Sequence, residues 1–140
     1  MILFCDTSAL VKLYVQELDS DAVMQRAAAS EILAVSRITW VEVMSAMARR
    51  SRERPADAAH LIQARQRFEE DWAHYVVLEI TPELTRLAGD YAEAFALRAY
   101  DSIQLAAAQT LNQELPGEVG FACFDTRLVN AARLLGMTTA

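Results

Sequence analysis

Glycine and proline are scarce in this chain, four and three in 140 residues, and no stretch has the low complexity of a flexible linker. No internal repeat appears either, so one domain spanning residues 1–140 is expected. No apolar run approaches the ~20 residues that a membrane span requires. The first apolar stretch stops at Asp6, too short for a signal peptide, and a cytoplasmic protein without membrane association is expected. The two cysteines, Cys5 and Cys123, match no metal-ligand or redox spacing and read as buried thiols. The two histidines, His60 and His74, fall in one long helical segment, and neither suggests a general base. Positive charge is also short. The net charge of −6 has the wrong sign for a protein that grips nucleic acid by bulk electrostatics. An enzyme whose acids bind metal escapes that objection, since two divalent cations would cancel four of the six charges.

What is present is an alternation of short apolar runs with helical patterns. MILFC reads as a buried strand, followed by a helix over about 7–15 and a second over 20–29. ILAV (32–35) is a strand, and TWVEVMSAMARRS, with Trp40, Val43, Met44 and Met47 at helical spacing, is a helix. Pro55 opens a long helix to about residue 75 whose buried stripe is Leu61, Phe68, Trp72 and Tyr75. YVVLEI (75–80) is a strand, Thr81-Pro82-Glu83 a helix start, and DSIQLAAAQTL (101–111) another helix. VGFACF (119–124) is a strand, TRLVNAARLLG a helix closed by Gly136, and MTT a last edge strand. Such alternation predicts an α/β sandwich on a mostly parallel sheet. Ligands of these sheets bind at the carboxyl ends of the strands.

Asp6 and Asp125 both follow a strand and so belong on that edge. Glu42 and Asp101 sit in helices. Each of the four has an ordinary structural explanation. Asp6 and Asp125 suit the cap position of the helix that follows. Thr39-Trp40-Val41-Glu42 fits a capping box, and Asp101-Ser102-Ile103-Gln104 a related one with Asp101 as cap. Against this, the helical neighbours of Glu42 (Ile38, Thr39, Ser45 and Ala46) offer no countercharge, and Asp101 has only Arg98 near it. Carboxylates in such surroundings are costly unless paired, protonated or bound to metal. A hard divalent cation resolves the conflict if the four converge.

FCDTSALVKLY, TWVEV, LRAYDSIQLAAA and ACFDTRLVNAA, taken in order, resemble the PIN domain, and specifically the VapC toxins of type II toxin–antitoxin systems. The likeness runs over nearly the whole chain. It implies a three-layer α/β/α sandwich with a five-stranded, mostly parallel sheet, the first strand central and the 119–124 strand beside it. It implies Mg²⁺- or Mn²⁺-dependent endoribonuclease activity with one or two ions, inhibition by a cognate VapB antitoxin, and a homodimer. On this basis Asp6, Glu42, Asp101 and Asp125 are the catalytic and metal-binding positions, with Asp6 and Asp101 as direct ligands. Two positions depart from the family pattern. Cys123 stands where relatives often carry Thr or Ser, and a thiol is the weaker hydrogen-bond donor. Ser8 stands where some have Asn or Asp.

Ser8, Lys12, Arg98 and Arg127 are the expected substrate contacts. The run RRSRER (49–54) is better explained as solvated arginine at a helix C-terminus. Two other readings compete. A phosphotransfer domain would want Asp-x-Asp-x-Thr or adjacent acids after the first strand, and neither is there. A non-catalytic PIN-like module binding RNA or protein would leave the four acids without a task.

Overall fold

The structure, a computed structural model, describes residues 1–139. Its elements follow the order β1 (Ile2–Cys5), α1 (Thr7–Val11), α2 (Ser20–Ala28), β2 (Ile32–Ser36), α3 (Thr39–Glu53), a 3-10 turn (Pro55–Asp57), α4 (Ala58–Trp72), β3 (Val76–Leu78), α5 (Pro82–Phe95), α6 (Ala99–Glu114), β4 (Val119–Ala122) and α7 (Thr126–Leu134). The strands form one parallel sheet in the order β3-β2-β1-β4. Leu3 lies in register with Leu33 on one side and Gly120 on the other.

Alternation along the strands divides the core in two. Ile2 and Phe4 of β1, Ala34 of β2 and Val119 and Phe121 of β4 face one layer, packed with Leu84, Leu105 and Leu128 from α5, α6 and α7. Leu3, Cys5, Val35 and Ala122 face the other, packed with Leu10, Val23, Val43 and Phe68 from α1 to α4. A strand buried on both faces has no polar side, which is why the strand segments read as unbroken apolar runs. The chain moves outward from β1 through β2 to β3, then returns to place β4 on the other flank of β1. The direction of winding therefore reverses between β1 and β4. Asp6 follows one of these strands and Asp125 the other, three residues past the end of β4 rather than directly after it.

The implied fifth strand does not form. Residues 137–139 contribute one isolated parallel bridge, Gly120 to Thr138, in which the Phe121 N–H donates to the Thr138 carbonyl at 2.7 Å. Gly136, in the left-handed region at φ 87°, closes α7 with a Schellman turn: its N–H bonds Arg133 O at 2.9 Å and the Met137 N–H bonds Ala132 O at 3.1 Å. That turn buries Met137 in the core, and Arg133 Nε holds the Thr139 hydroxyl at 2.8 Å, drawing the segment off the ladder.

Two helices are shorter than expected. α1 ends at Val11, after which three-residue bonds tighten residues 12–14 into turns. Tyr14 is drawn away to hydrogen-bond with Asp71 and Tyr75, and its carbonyl accepts from Arg67. Tyr14 is buried and Trp40 packs on Phe68 and Trp72, so both belong to the core. The long helix after Pro55 is a 3-10 turn followed by α4, which stops at Trp72. Among the described residues no helix is long and apolar enough to cross a membrane.

Candidate active site

Capping fixes two of the four acids. Asp6 caps α1, its Oδ1 accepting from the Ala9 N–H at 3.0 Å and from the Ser8 hydroxyl at 2.7 Å. Asp125 caps α7, its Oδ1 accepting from the Leu128 N–H at 3.0 Å. Each cap holds one carboxylate oxygen and so fixes the direction of the other.

Capping does not account for the other two. α3 begins after Ile38, with no side-chain cap, and Glu42 does not reach back to Thr39. Its Oε1 accepts instead from the Thr7 hydroxyl at 2.8 Å and from Gln104 Nε2 at 2.9 Å. α6 begins two residues before Asp101, with Arg98 at the cap position. Asp101 Oδ2 accepts from Arg98 Nε at 3.1 Å, and Asp125 Oδ2 lies 4.0 Å from Arg98 Nη2. One guanidinium thus spans two of the acids.

All four line one open cavity of about 540 Å³ at the carboxyl edge of the sheet. With Glu17, Lys12 and Arg98 also on its wall, the cavity carries five carboxylates against two cations, a formal charge of −3. A second cavity of about 440 Å³, which Arg127 lines, shares Arg98, Asp101 and Asp125 with the first. The two form a groove crossed by the Arg98 pairing. Burial raises the Asp6 pKa above the ordinary carboxylate value, and the charge of Asp101 adds to the effect. The Cys123 thiol, the Ser8 hydroxyl and the Ala9 N–H pull it partly back. Cys123 therefore serves this shell as a thiol: burial and the charge of Asp6 push its own pKa up, and its Sγ accepts from the Asp125 N–H at 3.3 Å.

The expected substrate contacts are placed unequally. Ser8 donates to Asp6 and accepts from the Phe124 N–H at 3.2 Å, so its hydroxyl is committed within the protein. Lys12 bonds Glu17 at 3.0 Å with 13% of its side chain exposed. Arg98 is 82% exposed. Arg127, also exposed, donates to the Ala96 carbonyl at 2.9 Å. His60 and His74 are exposed and do not line this groove.

Gln104 is the participant that reasoning from sequence missed. Only 2% exposed, it donates through Nε2 to Glu42, to Thr39 at 3.0 Å and to Thr7 at 3.2 Å, while its Oε1 has no partner among the described residues. The signal was available. A glutamine three residues after Asp101, set between Ile103 and the apolar run LAAA (105–108), must find hydrogen bonds, because a buried amide without them is costly.

The donor set fits a hard divalent cation in kind. Mg²⁺ takes carboxylate oxygens, often only one or two, and keeps several waters. The carboxylates are nonetheless held apart. Among the described residues, no three His, Cys, Asp or Glu side chains are gathered closely enough to hold a metal. Arg98 occupies the approach between Asp101 and Asp125, and two neutral donors tie Glu42 back.

An α/β sandwich with four carboxylates lining a cavity where the sheet winding reverses has that cavity at the edge where such sheets bind ligands. The PIN-domain model matches residues 3–134, and the chain belongs to that family. It is 31% identical over 139 residues to ribonuclease VapC45 of Mycobacterium tuberculosis, covering 99% of this chain and 94% of that one. It is 32% identical over 136 residues to ribonuclease VapC46 of the same species, covering 96% and 93%. Among solved structures, a toxin–antitoxin complex from Klebsiella pneumoniae superposes with a TM-score of 0.64 at 21% identity, over 90% of this chain and 88% of that one. The M. tuberculosis toxin VapC20, described as cleaving the sarcin–ricin loop, gives 0.63 at 16% identity, over 92% and 94%. At these identities the two structures carry the fold alone.

Proposed function

We propose that this chain is a divalent-metal-dependent endoribonuclease of the VapC kind, acting in the cytoplasm, inhibited by a VapB-type antitoxin and assembling as a homodimer. One observation carries the reading: Asp6, Glu42, Asp101 and Asp125, separated by up to 119 positions in sequence, line a single cavity in a chain whose full-length relatives are ribonucleases. Asp6 and Asp101 are assigned the direct contacts to Mg²⁺ or Mn²⁺, one ion or two, with Glu42 and Asp125 completing the shell. The ion, when bound, supplies a water of lowered pKa and positive charge opposite the phosphoryl oxygens.

The protein's own part is positioning. The Ser8 and Ala9 bonds hold Asp6, and the Leu128 cap holds Asp125. Thr7 and Gln104 orient Glu42 with neutral donors, leaving its negative charge uncancelled. Arg98 stands exposed where the two cavities meet and Arg127 on the wall of the second, suited to phosphates on either side of the cut.

The test is cleavage of total RNA with Mn²⁺, with and without EDTA, by the wild type and by Asp101→Asn. Cleavage that requires metal and the Asp101 carboxylate, leaving 5′-phosphate and 3′-hydroxyl ends, is expected. Full activity in EDTA or in Asp101→Asn, or cyclic phosphate ends, would overturn the reading. The Arg98 pairing gives the non-catalytic alternative its best support, since an internal cation already sits on two of the acids. That alternative requires binding of RNA without turnover. Co-expression with the product of an adjacent upstream reading frame tests the antitoxin.

A further inference from the structure

Phe124 stands in the loop between β4 and α7, directly before Asp125, and is 44% exposed. An exposed aromatic side chain is unremarkable in itself. This one lines the acid cavity, and both its backbone and its ring are held. Its N–H is fixed on the Ser8 hydroxyl at 3.2 Å, the same hydroxyl that donates to Asp6. Its ring carries the Lys12 ammonium 4.8 Å from the centroid, and Glu17 anchors that ammonium at 3.0 Å. The ring is thus placed relative to the carboxylates by two independent ties.

We infer that Phe124 is the stacking platform for a nucleobase of single-stranded RNA next to the scissile phosphate, with Lys12 holding the ring in place. The inference rests on the ribonuclease reading and adds to it a base-binding subsite.

The character of the wall selects the ligand. Apart from Phe124, the cavity is lined almost wholly by polar and charged side chains, with Val11 and Ala46 the apolar exceptions. A helix docking through an apolar face needs a continuous greasy strip, which this wall does not offer. A nucleobase needs one aromatic face and polar groups around its edge, which it does. The acids repel a polyanion, so a contact that gains affinity without charge is what such a groove requires. The second cavity continues beyond Asp125, giving the strand a path past the ring.

The experiment compares wild type, Phe124→Ala, Phe124→Trp and Phe124→Leu. Binding of a fluorescein-labelled 12-mer oligoriboadenylate is read by anisotropy in EDTA, and stacking by the quench of 2-aminopurine placed at each position in turn. Phe124→Ala is expected to weaken binding by roughly 5- to 160-fold, the range for loss of one base–aromatic stack. It should abolish the quench at one position. Phe124→Trp should restore both and Phe124→Leu neither, with melting temperatures unchanged.

Equal binding by wild type and Phe124→Ala, or full rescue by leucine, overturns the platform. So does a defect of Phe124→Ala confined to inhibition by a protein antitoxin. Failure of the two readings is distinguishable. A wild type that binds and quenches but never cleaves retains the platform and loses the nuclease. A wild type that cleaves with Phe124→Ala its equal retains the nuclease and loses the platform.

Discussion

Removing Arg98 should tighten metal binding while weakening the hold on RNA. Its Nε lies 3.1 Å from Asp101 Oδ2 and its Nη2 4.0 Å from Asp125 Oδ2, so a cation arriving at Asp101 meets a positive charge already in contact with its ligand. Charges of +1 and +2 about 6 Å apart repel by about 1.4 kcal/mol even at the dielectric constant of water, a tenfold change in affinity. Arg98→Ala is therefore expected to bind Mn²⁺ about tenfold more tightly by calorimetry at low ionic strength, with the gap narrowing as salt screens the exposed charge. Fold stability should change by less than about 1 kcal/mol, since an exposed ion pair contributes little. Arg98→Lys keeps the charge and should keep the wild-type affinity. RNA binding should fall in Arg98→Ala, because the same guanidinium is assigned to phosphate. Unchanged or weaker Mn²⁺ binding in Arg98→Ala would refute the competition, as would Arg98→Lys behaving like the alanine variant.

Three further outcomes follow from local geometry. The raised pKa of Asp6 means that the folded chain holds a proton where the unfolded chain has lost it, so this group makes stability fall as pH rises from about 4 through the raised value. Asp6→Asn removes that cost and keeps the Oδ1 acceptor. By calorimetry in EDTA it should melt above the wild type at pH 7, the advantage shrinking toward pH 4; a lower melting temperature at pH 7 would refute the sign. Gln104→Ala deletes a donor to the Glu42 carboxylate and leaves a void, so urea denaturation should show a loss of about 2–4 kcal/mol; a loss under 1 kcal/mol would mean that the buried amide holds nothing. Ala96 sits at φ 53° where α5 ends, a region that costs non-glycine residues roughly 1–2 kcal/mol, so Ala96→Gly should stabilise by about 1 kcal/mol. A lower melting temperature for that variant would show that the turn is unstrained.

The layering was legible because strands buried on both faces leave continuous apolar runs, and helices leave stripes. Ile2–Cys5 and the stripe Leu61, Phe68, Trp72 are where the pattern puts them. Boundaries set by tertiary contacts were not legible. Nothing in LYV announces that Tyr14 will leave the helix for Asp71 and Tyr75, and nothing in MTT announces that Arg133 will capture Thr139. The site divides in the same way. That Asp6 and Asp125 would share an edge follows from their positions after strands. That Glu42 would ignore its capping box depends on Gln104, which belongs to the opposite helical layer and lies 62 residues away.

That last contact is what makes the edge a site rather than a row of helix caps. α3 packs on one face of the sheet and α6 on the other, and Gln104 joins them through Thr39 and Glu42. A carboxylate capping its own helix serves one layer and faces the backbone. Glu42 is taken from its cap by a hydroxyl on α1 and an amide on α6, so both layers must be docked before it is held. Asp101 begins no helix either, and its partner is an exposed arginine one turn earlier that a stronger cation can displace. Three acids held by caps or buried donors and one, Asp101, held by an exposed arginine give a pocket part rigid and part adjustable. Were Glu42 locked to Thr39 and Asp101 to its own N-terminus, the four charges would lie along separate helices with nothing to share.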